Sequence, residues 1–177
     1  MTDTHAIPPP AAVFGLVSGM WAAKAAATAA SLRIPDVLAL GPKTADEVAK
    51  AIGADAGAVY RLMRGVASVG VLSAEPGGRF ALTPVGELLR SDVPGSMRSV
   101  LVAEMAPGHW LSWGDLEHSV RTGKPAAPKA LGMDIWNYYK KNSEEGFQFA
   151  EAMSGLSSIA LQAVLTAYSF AGARKVV

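Results

Sequence analysis

The segment of residues 44–83 constrains the fold more than any other part of the sequence. Thr44 and Glu47 have the spacing of a capping box, in which a hydroxyl caps the first amides of a helix and a glutamate reaches back to the cap residue. This pattern predicts a short helix that ends at Gly53, because glycine readily takes the left-handed conformation that closes a helix.

A second helix and a hairpin are predicted in the rest of this segment. Asp55 is the expected N-cap of the helix and Gly70 its expected end. Apolar residues recur between them at helical spacing: Val59, Leu62, Met63, Val66 and Val69. Two short β runs at 71–72 and 80–82 enclose Pro76-Gly77-Gly78, which is a turn sequence. Helix, turn, helix and hairpin in this order predict a winged helix at residues 42–92.

Many winged helices read DNA, and such a reader needs a surplus of cations to neutralise phosphates. Residues 42–92 hold equal numbers of both signs: the cations are Lys43, Lys50, Arg61, Arg64, Arg79 and Arg90, and the anions are Asp46, Glu47, Asp55, Glu75, Glu87 and Asp92. No Asn, Gln or Ser lies between Arg61 and Arg64 to read base edges. The charge pattern therefore argues against nucleic acid as a partner.

The composition points to a buried interface. Half of the 177 residues are hydrophobic and only 18% are charged, against about 25% in an ordinary soluble domain. A compact monomer of this length has limited interior, so the surplus apolar surface is expected in an interface. The net charge of +1 gives no attraction for anionic lipid. Without cysteine there is neither a disulfide nor a thiolate metal site, which is compatible with the cytoplasm.

The N-terminal part predicts a flexible arm at residues 1–10 and a long helix after it. Residues 11–32 are uncharged except for Lys24, and we expect this helix to be buried on most sides. The start of the chain lacks the cations of a signal peptide, and an alanine-rich helix with Lys24 near its middle is a poor membrane span. Packing against a second copy and packing in the core of one subunit both fit. A short helix at 34–38 follows.

Downstream of the winged helix the pattern is helical. Helices are predicted from Pro84 to about residue 91, at 97–106 after a Ser96 cap, at 109–121, after Asp134, and from a Ser143 cap onward. Residues 124–133 are expected to form a loop. On the helix at 109–121 one stripe should carry the apolar side chains Trp110, Trp113, Leu116 and Val120.

No catalytic constellation is evident in the sequence. His5 lies in the arm, and His109 and His118 are nine apart, which does not suit a shared metal on one helix; each is interpreted as a partly exposed helix residue. No phosphate-binding glycine loop occurs. The aromatic and methionine side chains of residues 105–153 could instead wall a pocket for a flat apolar ligand, or simply form a core.

The order of several segments resembles the N-terminal dimerisation region of the S-adenosylmethionine-dependent small-molecule O-methyltransferases. The matching segments are AAATAASLRIPDVLALGPKTADEVA, YRLMRGVASVGVL, FALTPVGELLRSDVPGSMR, HWLSWGDLEHSVRTGKP and FQFAEAM, which cover most of residues 20–153. The family includes plant caffeate-type enzymes and bacterial polyketide and carotenoid tailoring enzymes. Its winged helix packs into an intertwined homodimer, and its later helices help to cover the acceptor pocket.

The resemblance implies a mainly α fold and a division of labour along the chain. Residues 11–41 would be dimerisation helices, 93–170 substrate-lid and dimer helices, and 171–177 the start of a missing Rossmann-like domain that holds S-adenosylmethionine and the catalytic base. Substrate-side residues carried over are Trp110, Phe149 and Met153, with Phe147 as a further candidate. The loop Pro125-Ala-Ala-Pro128 departs from the family pattern, in which an aromatic residue often follows Pro-Ala.

These observations predict one half of a cytoplasmic O-methyltransferase for a small aromatic or polyketide-like hydroxyl acceptor. The 177-residue chain alone is expected to contain no catalytic residue, to bind no cofactor or metal and to be inactive. The alternatives are a winged-helix transcriptional regulator with a small-ligand pocket and a stand-alone dimeric binding protein.

Overall fold

The fold is mainly α-helical, as predicted, with one small antiparallel sheet. A computed structural model describes residues 7–169, 172 and 175. His5 and most of the predicted arm, and Arg174, Val176 and Val177 of the predicted strand start, lie outside the described residues. The chain divides into two compact units, Met1–Ser91 and Asp92–Val177.

The first unit holds the N-terminal helices and the winged helix. Its helices are α1 Pro9–Ser31, α2 Ile34–Leu38, α3 Ala45–Ile52, α4 Ala56–Ser68 and α5 Pro84–Glu87. Its strands are β1 Lys43–Thr44, β2 Leu72–Glu75 and β3 Arg79–Leu82, in the sheet order β1-β3-β2.

Both predicted helix starts of the winged helix are confirmed. The amide of Glu47 donates to the Thr44 hydroxyl at 3.3 Å, and the amide of Thr44 donates to the Glu47 carboxylate at 2.7 Å. Gly53 ends α3 in the left-handed region with φ 67°. The Asp55 carboxylate accepts from the amide of Ala58 at 2.7 Å and so caps α4.

The predicted hairpin is confirmed, and it pairs with a strand that the sequence did not reveal. Strands β2 and β3 pair in antiparallel register from Leu72 opposite Leu82 to Glu75 opposite Arg79. The two-residue strand β1 then pairs with β3, placing Lys43 opposite Phe80. Two residues are too few to show the alternation by which a strand is recognised.

The apolar face of α4 forms the centre of this unit, with one exception. Val59, Met63 and Val66 are buried against the rest of the unit's core, which includes Ile34, Leu38, Val48, Leu72 and Phe80. Val69, which continues the same apolar spacing, is 48% exposed. The helix has already ended at Ser68, so the face of the helix no longer directs that side chain inward.

Helix α1 is long, as predicted, but it is not buried on most sides within one chain. Only Ala26, Ala27, Ala29 and Ala30 are buried. Its first half exposes large apolar side chains: Val13, Phe14, Leu16, Val17, Met20 and Trp21. Burial in the core of one subunit is therefore wrong for this half of the helix. Because α1 begins at Pro9, residues 9 and 10 are helical and not part of an arm.

The second unit contains six helices within its described residues. They are α6 Arg98–Glu104, α7 Pro107–Gly114, α8 Leu116–Thr122, α9 Ala127–Leu131, α10 Ile135–Lys141 and α11 Ser143–Ala167. Its small core includes Val102, Ala103, Ala126, Tyr139 and Ala152, and α6 packs on α11.

Several predicted boundaries downstream of the wing were wrong. The helix after Thr83 ends at Glu87. The expected helix at 109–121 is broken at Asp115, where glycine and aspartate, both weak helix formers, come together. The expected loop at 124–133 contains α9, which Gly132 closes with φ 74°.

The predicted apolar stripe and one predicted cap also need correction. Trp113, Leu116 and Val120 are 63%, 47% and 78% exposed, because the break at Asp115 separates the stripe into two short helices. Ser143 is the first residue of α11 and makes no cap. The helix expected from Asp134 is confirmed as α10, and the Asp134 carboxylate caps it by accepting from the amides of Trp136 and Asn137.

Candidate functional site

An apolar cavity of the second unit lies between α10 and α11. This cavity has a volume of about 610 Å³. It is lined by Trp136, Tyr139, Lys140, Ser143, Gly146, Phe149, Ala150 and Met153. Its size falls in the range of sites for small organic molecules, which are mostly apolar with few polar groups.

Three aromatic rings give the cavity a flat wall. Tyr139 and Phe149 are stacked, with ring centroids 5.1 Å apart and an interplanar angle of 24°. Trp136 contacts both rings edge-on, at 6.4 Å from Tyr139 and 6.3 Å from Phe149. A wall of this kind favours a planar aromatic ligand, because rings gain from offset stacking and edge contacts beyond the burial of area.

His109 supports this wall from α7. Its Nδ1 lies 3.1 Å from the carbonyl oxygen of Ala103, and its Nε2 lies 3.3 Å from the Tyr139 hydroxyl. A carbonyl only accepts, so Nδ1 carries the proton in the neutral ring and Nε2 accepts from the tyrosine hydroxyl. The imidazole also meets Phe149 edge-on at 5.4 Å. The sequence did not reveal this role, because the partners lie 6 to 40 residues away along the chain.

The Tyr139 hydroxyl is a neutral hydrogen-bonding group over the physiological range. Burial, with smaller contributions from the charges of Glu145 and Glu104, raises the pKa of Tyr139 to about 12. The phenol therefore donates to His109 and leaves its ring face to the cavity.

Glu145 ties three helices together behind the cavity. One carboxylate oxygen accepts from the amide of Gly108 at 2.7 Å and the other from the Tyr138 hydroxyl at 3.0 Å. Burial, together with this hydrogen bond to Glu145, raises the pKa of Tyr138. A side chain at Gly108 would meet the Glu145 carboxylate at 2.7 Å, so glycine permits the close approach of α7 and α11.

The structure brings together two of the four predicted substrate-side residues. Phe149 and Met153 line the cavity. Trp110 is half-buried on α7, and Phe147 is 65% exposed on α11; neither is among the lining residues. The cationic residue at the cavity, Lys140, was not singled out from the sequence. The substrate-binding role of all four predicted residues remains a prediction.

The described residues offer little further chemistry. Among residues 7–169, 172 and 175 there is no group of three or more His, Asp or Glu side chains that could hold a metal ion. On the winged helix, Arg79 of the wing forms an ion pair with Glu47 at 3.2 Å, and the Arg64 guanidinium lies 5.7 Å from the centre of the Tyr60 ring.

Comparison with known proteins identifies the family to which this fold and cavity belong. A family model described as the O-methyltransferase dimerisation domain matches residues 14–92, and one described as the O-methyltransferase domain matches residues 113–177. The chain belongs to the O-methyltransferase family. The resemblance inferred from the sequence is thereby confirmed.

Relatives in this family match the chain over nearly its whole length. Phenazine O-methyltransferase PhzM of Lysobacter antibioticus is 33% identical over 180 residues, which cover 100% of this chain and 52% of that protein. The crystal structure of LaPhzM superposes with a TM-score of 0.87 at 34% identity, covering 93% of this chain and 49% of that one. The chain thus spans about half the length of the curated relatives it matches.

A further O-methyltransferase structure contains the family's methyl donor. The enzyme NcsB1 from neocarzinostatin biosynthesis, solved with S-adenosylmethionine and 2-hydroxy-5-methyl naphthoic acid, has a TM-score of 0.69 at 32% identity, covering 85% of this chain and 46% of that one.

One helix of the described residues, Pro9–Ser31, is long and apolar enough to cross a membrane by length and composition alone. Most of it lies within the match to the dimerisation domain, which begins at residue 14.

Proposed function

We propose that this chain is the dimerisation and substrate-binding part of an S-adenosylmethionine-dependent O-methyltransferase. Its acceptor would be a small aromatic or polyketide-like molecule that carries a hydroxyl group. The observation that supports this most directly is the cavity of α10 and α11, with stacked Tyr139 and Phe149, in a chain of this family. One relative, NcsB1, is in complex with a hydroxylated naphthoic acid, a ligand of this planar shape.

The chain's own contribution would be to orient the acceptor and exclude water. Holding two reactants in place removes much of the entropic barrier to their reaction. The described residues contain no glycine-rich loop that leads from a strand into a helix, so we assign neither the donor site nor the catalytic base to any residue of this chain. We therefore expect the 177-residue chain to bind no S-adenosylmethionine and to transfer no methyl group.

A homodimer would use the exposed half of α1. Phe14, Leu16 and Trp21 are 60%, 79% and 55% exposed in the single chain, and they lie in or beside the segment matched by the dimerisation domain. Burial of this face against a second copy would remove a costly apolar surface from water. We place this assembly in the cytoplasm and give it no membrane partner.

Nucleic acid is not part of this proposal. Arg79 is paired with Glu47 and Arg90 with Glu87, and Arg64 lies over the Tyr60 ring, so three of the six cations of the winged helix have partners within it. A salt titration of binding to mixed-sequence duplex DNA tests this point. We expect no saturable binding at low salt, and a steep salt-dependent affinity would favour the regulator instead.

Isothermal titration of the 177-residue chain with 2-naphthol tests the cavity. We expect saturable binding that Met153→Ala and Phe149→Leu weaken by about three- to tenfold, because each removes contact area from the ring. Leu161→Ala is the matched control on the same helix, since Leu161 is 51% exposed and is not among the lining residues. Circular dichroism confirms that each variant is folded. Failure of the chain to bind 2-naphthol would contradict the proposed site.

A further inference from the structure

A charged side chain lies at the rim of the cavity and takes no part in the aromatic wall. Lys140 is the only charged residue among those that line the cavity, and it is exposed. It forms no ion pair with any residue that the structure describes. Its ammonium group is therefore available to a ligand.

The nearest carboxylates along the chain are directed elsewhere. Glu145 is occupied by the Gly108 amide and the Tyr138 hydroxyl. Glu144 lines a different hollow, next to Ala106 and Pro107. The local charge at the cavity is thus positive, although the chain as a whole is nearly neutral, with a net charge of +1.

The remaining polar groups of the cavity are not cationic. The Tyr139 hydroxyl is engaged by His109, and Ser143 offers a neutral hydroxyl beside Lys140 on the lining. A ligand that complements this surface needs a flat apolar body for the wall of Tyr139 and Phe149 and one negative charge at its edge for Lys140.

We infer that the cavity selects a planar aromatic ligand that carries an anionic substituent, such as a carboxylate, and that Lys140 is the residue that recognises this charge. This inference rests on the proposed function, because it names the class of acceptor for the same cavity. Lys140 is a specificity-determining residue here, and it has no part in the transfer step.

Helix stability offers another reason for a lysine at this position. Cations in the last turn of a helix interact favourably with its dipole, and both Lys140 and Lys141 lie in the last turn of α10. Only Lys140 lines the cavity. Lys141 therefore provides a matched control that carries the same charge on the same helix turn.

The test compares two ligands that differ in charge and share one ring system. The 177-residue chain is titrated with 2-naphthoate and with 2-naphthamide by calorimetry at neutral pH. We expect 2-naphthoate to bind about two- to fivefold more tightly, the range expected of an exposed ion pair. Raising the salt to about 0.5 M should remove most of this preference, because the charges are screened by solvent ions.

The variants identify the residue responsible. Lys140→Met should abolish the preference for 2-naphthoate and leave the affinity for 2-naphthamide within about twofold. Lys141→Met should retain the preference. An equal loss of the preference for 2-naphthoate in Lys140→Met and Lys141→Met would overturn the inference. It would assign the preference to the charge of the helix end and not to a contact at the cavity.

The outcomes also separate this inference from the proposed function. If both naphthalenes bind the unaltered chain with equal affinity, the aromatic site stands and the anionic specificity is wrong. If neither binds, the cavity is not an aromatic site, and the proposed site and the inference are both wrong.

Discussion

Gly86 allows the start of α5 to lie directly against the chain before the wing. A Cβ atom at this position would collide with the backbone carbonyl oxygen of Val71 and lie 3.1 Å from Leu82 Cδ2. A carbonyl of the main chain cannot rotate away as a side chain does. We therefore expect Gly86→Ala to lower the free energy of unfolding by about 1–3 kcal/mol, measured by urea denaturation.

Gly65→Ala is the control for this change. Gly65 lies within α4, and no heavy atom comes within 4 Å of the added methyl group. The same substitution should stabilise the protein here by about 0.5–1 kcal/mol, because alanine is the better helix former. Equal destabilisation by both variants would contradict the steric explanation.

Tyr139 should make the protein sensitive to high pH. The ordinary pKa of its phenol is 10.0, and burial raises the pKa of Tyr139 to about 12 in the folded state. The unfolded chain then loses this proton from pH 10 upward, while the folded chain retains it until about pH 12. The contribution of Tyr139 to stability is therefore complete below pH 10 and is lost as the pH rises through 12.

Tyr139→Phe isolates this contribution. At neutral pH the variant should be less stable by about 1 kcal/mol, because the hydrogen bond to His109 is gone. Between pH 10 and pH 12 the free energy of unfolding of the unaltered protein should fall, whereas that of the variant should not fall through this residue. The difference in free energy of unfolding between the two proteins should therefore narrow. Parallel stability curves over this range, measured by denaturant titration, would show that the tyrosine does not titrate in this way.

Single residues also explain which elements could be predicted from the sequence. The starts of α3, α4 and α10 were predicted correctly because Thr44, Asp55 and Asp134 each cap amides within three residues of themselves. A contact between residues so close along the chain can be predicted from the local sequence. Strand β1 was missed because it is defined only by its pairing with β3, whose residues lie more than thirty positions away.

The packing of α10 on α11 shapes the candidate site, and Gly146 sets the distance between the two helices. A Cβ atom at Gly146 would lie 3.0 Å from the Tyr139 Cβ and 3.1 Å from the Tyr139 carbonyl oxygen. Gly146→Ala should move the helices apart by a few tenths of an ångström and destabilise the protein by about 1–2 kcal/mol. We expect affinity for 2-naphthol to fall about threefold or more, because the stacked wall of Tyr139 and Phe149 loses its alignment.

Gly155→Ala provides the comparison on the same helix. Nothing lies within 4 Å of the added methyl group, so this variant should keep its affinity and gain about 0.5–1 kcal/mol of stability, because alanine is the better helix former. Calorimetry with 2-naphthol and thermal denaturation measure the two effects. Unchanged binding in Gly146→Ala would indicate that the cavity does not depend on this helix contact.

Across the whole molecule, the family could be recognised from the order of segments, whereas the site was predicted only in part. The sequence indicated that residues 105–153 are rich in rings, but not which of them meet. His109 and Tyr139 are thirty residues apart and Tyr139 and Phe149 belong to different helices. Such contacts depend on how α7, α10 and α11 pack, and the break at Asp115 was itself not foreseen.

The exposed half of α1 provides the last prediction, which concerns the assembly. Leu16 is 79% exposed in the single chain and lies within the dimerisation match. If this face is covered by a second copy, a buried carboxylate there would cost several kcal/mol. Leu16→Glu should therefore convert the dimer to a monomer in light scattering, and it should lower the thermal midpoint at a fixed protein concentration, because association stabilises the folded state.

Leu40→Glu is the control for this prediction. Leu40 lies outside α1, and its side chain is 90% exposed, more than that of Leu16. This variant changes the net charge by the same amount as Leu16→Glu but lies outside the apolar face of α1, so it should remain dimeric. A monomeric unaltered chain at micromolar concentration would contradict the proposed homodimer. A dimer that survives Leu16→Glu would instead place the interface outside the apolar half of α1.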